Sequence, residues 1–163
     1  MNAKLGKIRK DLIAVILLAG IFVTLAIFPV DALVIQGDKD STALKVNSNE
    51  SVSLSFIHSV ELSRWIEIYK IDDDRLVLTE SLTKSCGWGL PSTEENFSFK
   101  EIDGETWMSF EMQRPVDSLV ISTNPINDYI LTVNNDVIEL ENFGKFVEIK
   151  VERISLLKYL LRR

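Results

Sequence analysis

One cysteine and one histidine are all that this chain of 163 residues holds of thiol or imidazole chemistry. Cys86 has no partner for an internal disulfide. Together with the lone His58, that count excludes a CxxC redox pair, a zinc ribbon, a cysteine-ligated iron–sulfur site and a multi-histidine zinc site. Glycine-rich phosphate loops, internal repeats, low-complexity tracts and Pro/Gly linkers are also missing. Positive charge is scarce, with 18 Lys and Arg against 24 Asp and Glu. The four basic and two acidic side chains of residues 1–32 leave about -8 on the remainder. That balance argues against nucleic acid as a partner and opposes broad contact with an anionic lipid surface. With no disulfide or metal to staple it, the fold must be held by packing.

The chain does have one long apolar run, Leu12 to Val30, interrupted only by Thr24 and Pro29 and preceded by Lys4, Lys7, Arg9 and Lys10. At about 1.5 Å per helical residue its length nearly matches a hydrocarbon core roughly 30 Å thick. The cations precede it, so the positive-inside rule places the N-terminus in the cytoplasm and the rest of the chain outside. This gives a basic cytoplasmic segment at residues 1–11, a transmembrane anchor at 12–31 and an extracytoplasmic domain at 32–163. A cleaved secretory signal is the competing reading. The run exceeds the usual 7 to 15 residues of a signal core, and no Ala-x-Ala site follows it.

Beyond the run, nearly every segment alternates apolar and polar residues with a period of two and is rich in β-branched and aromatic side chains. Strands are expected at Ala32–Ile35, Ser51–Val60, Trp65–Ile71, Arg75–Thr79, Asn96–Glu101, Thr106–Met112, Ser118–Thr123, Tyr129–Asn134, Val137–Leu140 and Phe146–Arg153. Turn signals separate them, among them Asp72-Asp73-Asp74, Asp103-Gly104 and Asn134-Asn135-Asp136. Short strands so spaced indicate one all-β domain, an antiparallel sandwich or barrel. Only Ile154–Arg163 reads as a helix. Its leucines and terminal arginines suit docking on the sheet or lying along a membrane surface.

Two hairpins can be put in register. With Asn135-Asp136 as a two-residue turn, Val133 faces Ile138 and Leu131 faces Leu140. With Glu61 to Arg64 as a loop, Val60 faces Trp65, His58 faces Glu67, Phe56 faces Tyr69 and Leu54 faces Ile71. The second register gathers a mostly apolar face and sets one imidazole against one carboxylate, at a Cβ separation of roughly 4.5 to 5.5 Å. The simplest role of that pair is mutual satisfaction in a half-buried sheet. Recognition of a ligand or partner is the functional alternative. Metal binding by His58 with Glu61 and Glu67 is weaker, because one histidine with carboxylates selects poorly for a transition metal. His58 and Ser59 are strand neighbours pointing to opposite faces and cannot form a catalytic dyad. An extracytoplasmic hydrolase using His58 is the second alternative, with Cys86, His58 and Glu67 mimicking a thiol triad, but a lone thiol is more often a small packed hydrophobe. The expectation is a binding protein that is not an enzyme, without cofactor, and with no metal site.

His58-Ser59-Val60-Glu61, Glu67 nine positions after the histidine, and the later Gly87-Trp88-Gly89-Leu90-Pro91 turn resemble, in conjunction, the family DUF1850, catalogued as a domain of unknown function. The likeness covers about residues 33 to 150. Arg64-Trp65 stands where the family usually has Pro-Val, and Trp88 replaces a small residue. Such proteins are commonly encoded beside TAXI-type TRAP transporters. The resemblance therefore implies an accessory or docking partner for the membrane subunit of such a transporter or for its binding protein. The binding surface expected from it comprises His58, Ser59, Glu61, Glu67, Gly87, Trp88, Gly89 and Pro91; a small-molecule ligand is the other occupant considered.

Overall fold

The computed structural model describes residues 2–84 and 97–162, with side chains from Lys10 onward other than that of Asp11. It opens with helix α1 (Asn2–Ile27). Proline ends this helix: the residue before a proline is pushed out of the α region, and Pro29 itself has no N–H to donate. Phe28 still bonds back to the Thr24 carbonyl at 2.9 Å, and the chain then enters strand β1 (Pro29–Gly37) directly. The last residues of the apolar run thus belong to the sheet, where Pro29 lies opposite Ser155 and Val30 opposite Ile154. Among the described residues, no helix is long and apolar enough to cross a membrane.

Ten further strands follow: β2 (Ser41–Lys45), β3 (Ser51–Ile57), β4 (Arg64–Asp72), β5 (Arg75–Thr83), β6 (Phe97–Ile102), β7 (Glu105–Val116), β8 (Leu119–Ser122), β9 (Ile130–Val133), β10 (Asp136–Glu139) and β11 (Phe146–Ser155). A short helix, α2 (Leu156–Arg162), closes the chain. All pairings described are antiparallel. The small sheet runs β2-β1-β11-β8 and the large one β10-β9-β3-β4-β5-β7-β6. This is the all-β architecture that the period-two pattern implies.

The two sheets bury one main core between them. Leu33 and Ile35 of β1 and Val147 and Ile149 of β11 meet Val52 and Leu54 of β3, Ile71 of β4, Leu76 of β5 and Leu131 and Val133 of β9. Removing that apolar surface from water, at roughly 25 cal/mol per Å², is the main force holding the sandwich together. On the outer face of the small sheet, Ala32, Val34, Ala43 and Ile154 form a second cluster, against which Tyr159 of α2 packs. The C-terminal helix therefore docks on the sheet. Leu160 and Leu161 stay exposed.

The faces agree with the sequence pattern, and the registers do not. In the β9–β10 hairpin, Asp136 pairs with Val133 and Ile138 with Leu131, so the turn is Asn134-Asn135 rather than Asn135-Asp136. Asn134 takes a left-handed φ of 54°, a conformation asparagine tolerates better than most residues. Strand β2 carries no clear alternation. It is held by pairing with β1 and by the single buried side chain of Ala43.

Candidate functional site

The β3–β4 hairpin carries the largest departure from the expected register. Its ladder pairs Leu54 with Glu67, Phe56 with Trp65 and Ile57 with Arg64. His58 therefore lies beyond the strand, in a six-residue connection from His58 to Ser63. That connection closes on itself: the His58 N–H donates to the Ser63 carbonyl at 2.9 Å, and the Leu62 N–H donates to the His58 carbonyl at 2.8 Å. His58 Nδ1 accepts from the Glu61 backbone N–H at 3.3 Å, much as a helix cap does, which leaves the proton of the neutral ring on Nε2. Leu62 adopts a φ of 51°, unusual for a branched residue, and is 72% exposed. A compact capped turn thus replaces two expected ladder pairs, and every pairing moves while each side chain keeps its face.

His58 and Glu67 consequently do not bond one another. The imidazole stacks on Trp65, with ring centroids 4.8 Å apart and planes 23° apart. Trp65 leans on Phe56 at 6.3 Å, and Phe56 stacks on Tyr129 at 5.2 Å. This aromatic row crosses the end of the large sheet. Glu67 stands beside it, between Leu54 on β3 and Ser81 on β5. Its carboxylate accepts a 2.6 Å hydrogen bond from the Tyr69 hydroxyl, two residues along on the same face.

No ion pair reaches Glu67 among the described residues. Burial pushes its pKa above the usual glutamate range, and the Tyr69 hydrogen bond only partly offsets this. The same burial, together with the Glu67 charge, raises Tyr69 and Tyr129. A carboxyl so placed can hold its proton at a pH where a surface glutamate has lost it. Two donors in the same corner, Trp65 Nε1 and Ser63 Oγ, are buried without a hydrogen-bond partner among the described residues. Unmet donors in a native corner call for an account, since buried polar groups are normally paired.

Arg64 and the loop after β8 lock the corner. Arg64 bonds Ser55 Oγ at 2.8 Å and Asp128 at 2.5 Å, while Asn127 Nδ2 bonds the Ile57 carbonyl at 2.8 Å. Arg64 and Asn127 therefore tie the turn to its neighbours. Ser59 and Val60 are exposed at the tip, and Glu61 is half-buried. Gly87, Trp88, Gly89 and Pro91, with Cys86, lie outside the described residues. Among the described residues, no three His, Cys, Asp or Glu side chains gather as a metal site would require. Tyr129 is the participant that sequence reasoning missed, because it follows a loop and nothing local marks its ring as a partner of Phe56.

Fold and corner together define a β-sandwich whose large sheet presents a capped histidine turn over an aromatic row and a protonatable carboxyl. The pattern of the family described as a domain of unknown function (DUF1850) matches residues 52–140, and the chain belongs to that family. The matched region holds essentially all of the large sheet and β8, and it stops short of β1, β2 and β11 of the small sheet. No curated protein and no solved structure matches the chain.

Proposed function

We propose that this protein is a membrane-tethered, extracytoplasmic docking module that acts by binding, with the membrane subunit of a TRAP-type transporter or its binding protein as partner. The observation that carries the tether is the surface of α1. From Leu12 to Ile27 its large apolar side chains are exposed, from 50% at Ile13 to 73% at Ile27, except Leu25, which is half-buried near the base of the helix. An all-round apolar helix belongs in an apolar medium. The described apolar stretch from Leu12 to Ile27 is about 24 Å long, short of a hydrocarbon core of roughly 30 Å. Lysines at its N-terminal end can snorkel across that difference. With those cations inside, the sandwich stands outside, and anchoring raises its effective concentration beside a membrane partner.

The docking end we assign is the His58 turn. Val60 and Leu62 are exposed there on a connection whose backbone is already closed by its own hydrogen bonds. A preformed turn loses little entropy on binding. The test has two parts. Full-length protein should float with phosphatidylcholine vesicles, and a chain beginning at Pro29 should not. The full-length protein, co-expressed at native levels, should also co-purify with the transporter subunits, and Val60→Asp with Leu62→Asp should break that association. Failure to float removes the tether; co-purification unaffected by the double change removes the assigned docking end.

A second reading, a small-ligand-binding domain, is favoured by one observation. A preformed cleft of about 660 Å³ opens between the β1–β2 turn, the loop after β8 and the start of β11. That volume falls within the range of small-molecule sites.

A further inference from the structure

We infer that this cleft binds a small organic monoanion with an apolar or aromatic body. The inference gives chemical content to the ligand-binding reading and does not require α1 to enter a membrane. Two of the chain's few cations, Lys39 and Lys145, line the cleft, and neither forms an ion pair among the described residues. In a domain with an acidic excess, two such cations at one opening offer an anion a place to bind. Phe146, 62% exposed, and Pro125 supply the apolar wall, and Asn124 and Ser122 add polar groups beside them.

The walls are set before any ligand arrives. Thr123 donates its backbone N–H to the Lys145 carbonyl at 2.9 Å and its hydroxyl to the Gly144 carbonyl. Lys39 N–H bonds the Phe143 carbonyl at 2.9 Å. Asp38 Oδ1 accepts from the backbone N–H groups of Lys145, at 2.7 Å, and Phe146, at 3.4 Å. Those bonds hold the Asp38 carboxyl below its usual range, with Lys39 adding a smaller effect. Its charge is thus engaged by the frame, and Asp38 is not among the residues that line the cleft. The frame is also too tight for side chains at two glycines. A Cβ on Gly37 would fall 1.9 Å from the Phe143 carbonyl oxygen, and one on Gly144, at φ 123°, would fall 1.7 Å from Asp38 Oδ1.

Glu141 is the carboxylate that does line the cleft. Against the two lysines it leaves the lining residues with a net single positive charge, which favours a monoanion over a dianion. It also gives the inference a sign test that a merely sticky lysine patch would not pass.

The experiment uses the full chain in non-ionic detergent and titrates benzoate by calorimetry and saturation-transfer NMR, with inorganic phosphate and benzyl alcohol as comparison probes. We expect saturable benzoate binding with a Kd on the order of millimolar, as suits an open site. Lys39→Gln with Lys145→Gln should weaken it about tenfold or more, and Glu141→Gln should tighten it by about threefold. Phe146→Ala should weaken benzoate several-fold. These positions are exposed and outside the core, so an unchanged thermal midpoint for each variant checks that the fold is intact. Benzoate binding that is absent up to about 50 mM, or that survives the double lysine change, would overturn the inference. Equal binding of benzyl alcohol would do the same, by showing an apolar patch only. Phosphate binding more tightly than benzoate would overturn the organic part.

Discussion

Glu67 and Glu80 sit one strand apart on the same sheet and face opposite ways, and the fold treats them differently. Glu80 on β5 is nearly buried, its side chain 16% exposed, and is met by Lys100 at 2.6 Å and by the Ser109 hydroxyl. Its charge is answered within the chain. Glu67 on β4 has aromatic neighbours and one tyrosine hydroxyl, with no described cation. A buried carboxylate with its own cation is accounted for by structure alone. One held without a cation costs stability once it is ionised. The contrast marks Glu67, rather than Glu80, as the carboxyl whose charge the fold leaves uncompensated among the described residues.

The sharpest way to break the contrast is Trp65→Ala. It removes the buried ring on which His58 stacks, and about 3 kcal/mol of stability should go with it in urea unfolding. If the loss is well under 1 kcal/mol, the aromatic row is not holding the corner. Lys100→Met should come next. It strands a nearly buried Glu80 charge, and because Lys100 is itself 40% exposed we expect about 2 kcal/mol, read by the same unfolding curves. Tyr69→Phe keeps the ring and deletes only the hydroxyl. A loss of about 1 kcal/mol is expected, with the Glu67 pKa moved further up, as followed by carboxyl NMR titration.

Glu67→Gln should have the smallest effect at neutral pH and the clearest signature against pH. The folded pKa of Glu67 is raised, so the folded state holds the proton more tightly than the unfolded one. Stability from this group is full below the ordinary glutamate value and falls as pH rises through the raised one. Thermal midpoints measured across that window should decline in the wild type relative to Glu67→Gln. Parallel pH profiles for wild type and Glu67→Gln would show that Glu67 is not held with a raised pKa.

Strand identity and facing were readable because both follow a local period of two. Leu54, Phe56, Trp65, Glu67 and Tyr69 all share the face that the alternation assigns them. Register was not readable, because it is settled in the turns. The His58 cap on Glu61 and the left-handed Leu62 shorten the β3 strand, and Asn134 shifts the β9–β10 turn by one residue. Neither conformation leaves a pattern outside its own few residues. Strand β2 escaped notice because an edge strand with one buried alanine has almost no apolar signal. The corner that brings Tyr129 to Phe56 depends on a loop crossing between sheets, which no window of sequence contains.

One more property follows from the junction of α1 with β1. Phe28 alone separates helix from strand, its carbonyl takes a 2.8 Å bond from Leu156, and Pro29 is already laddered to Ser155. The chain has no slack there. Arg153, bonded to Asp31 near this junction, also feels the charge of Asp73 in the β4–β5 turn, so the His58 turn lies at the other end of β4. Nine strand residues at about 3.3 Å each make a stiff arm of roughly 30 Å. A tilt of about 20° in the helix would swing the tip of that arm by about 10 Å. In the membrane-tethered arrangement we propose, the orientation of a single helix would then decide how high and at what angle the histidine turn is presented.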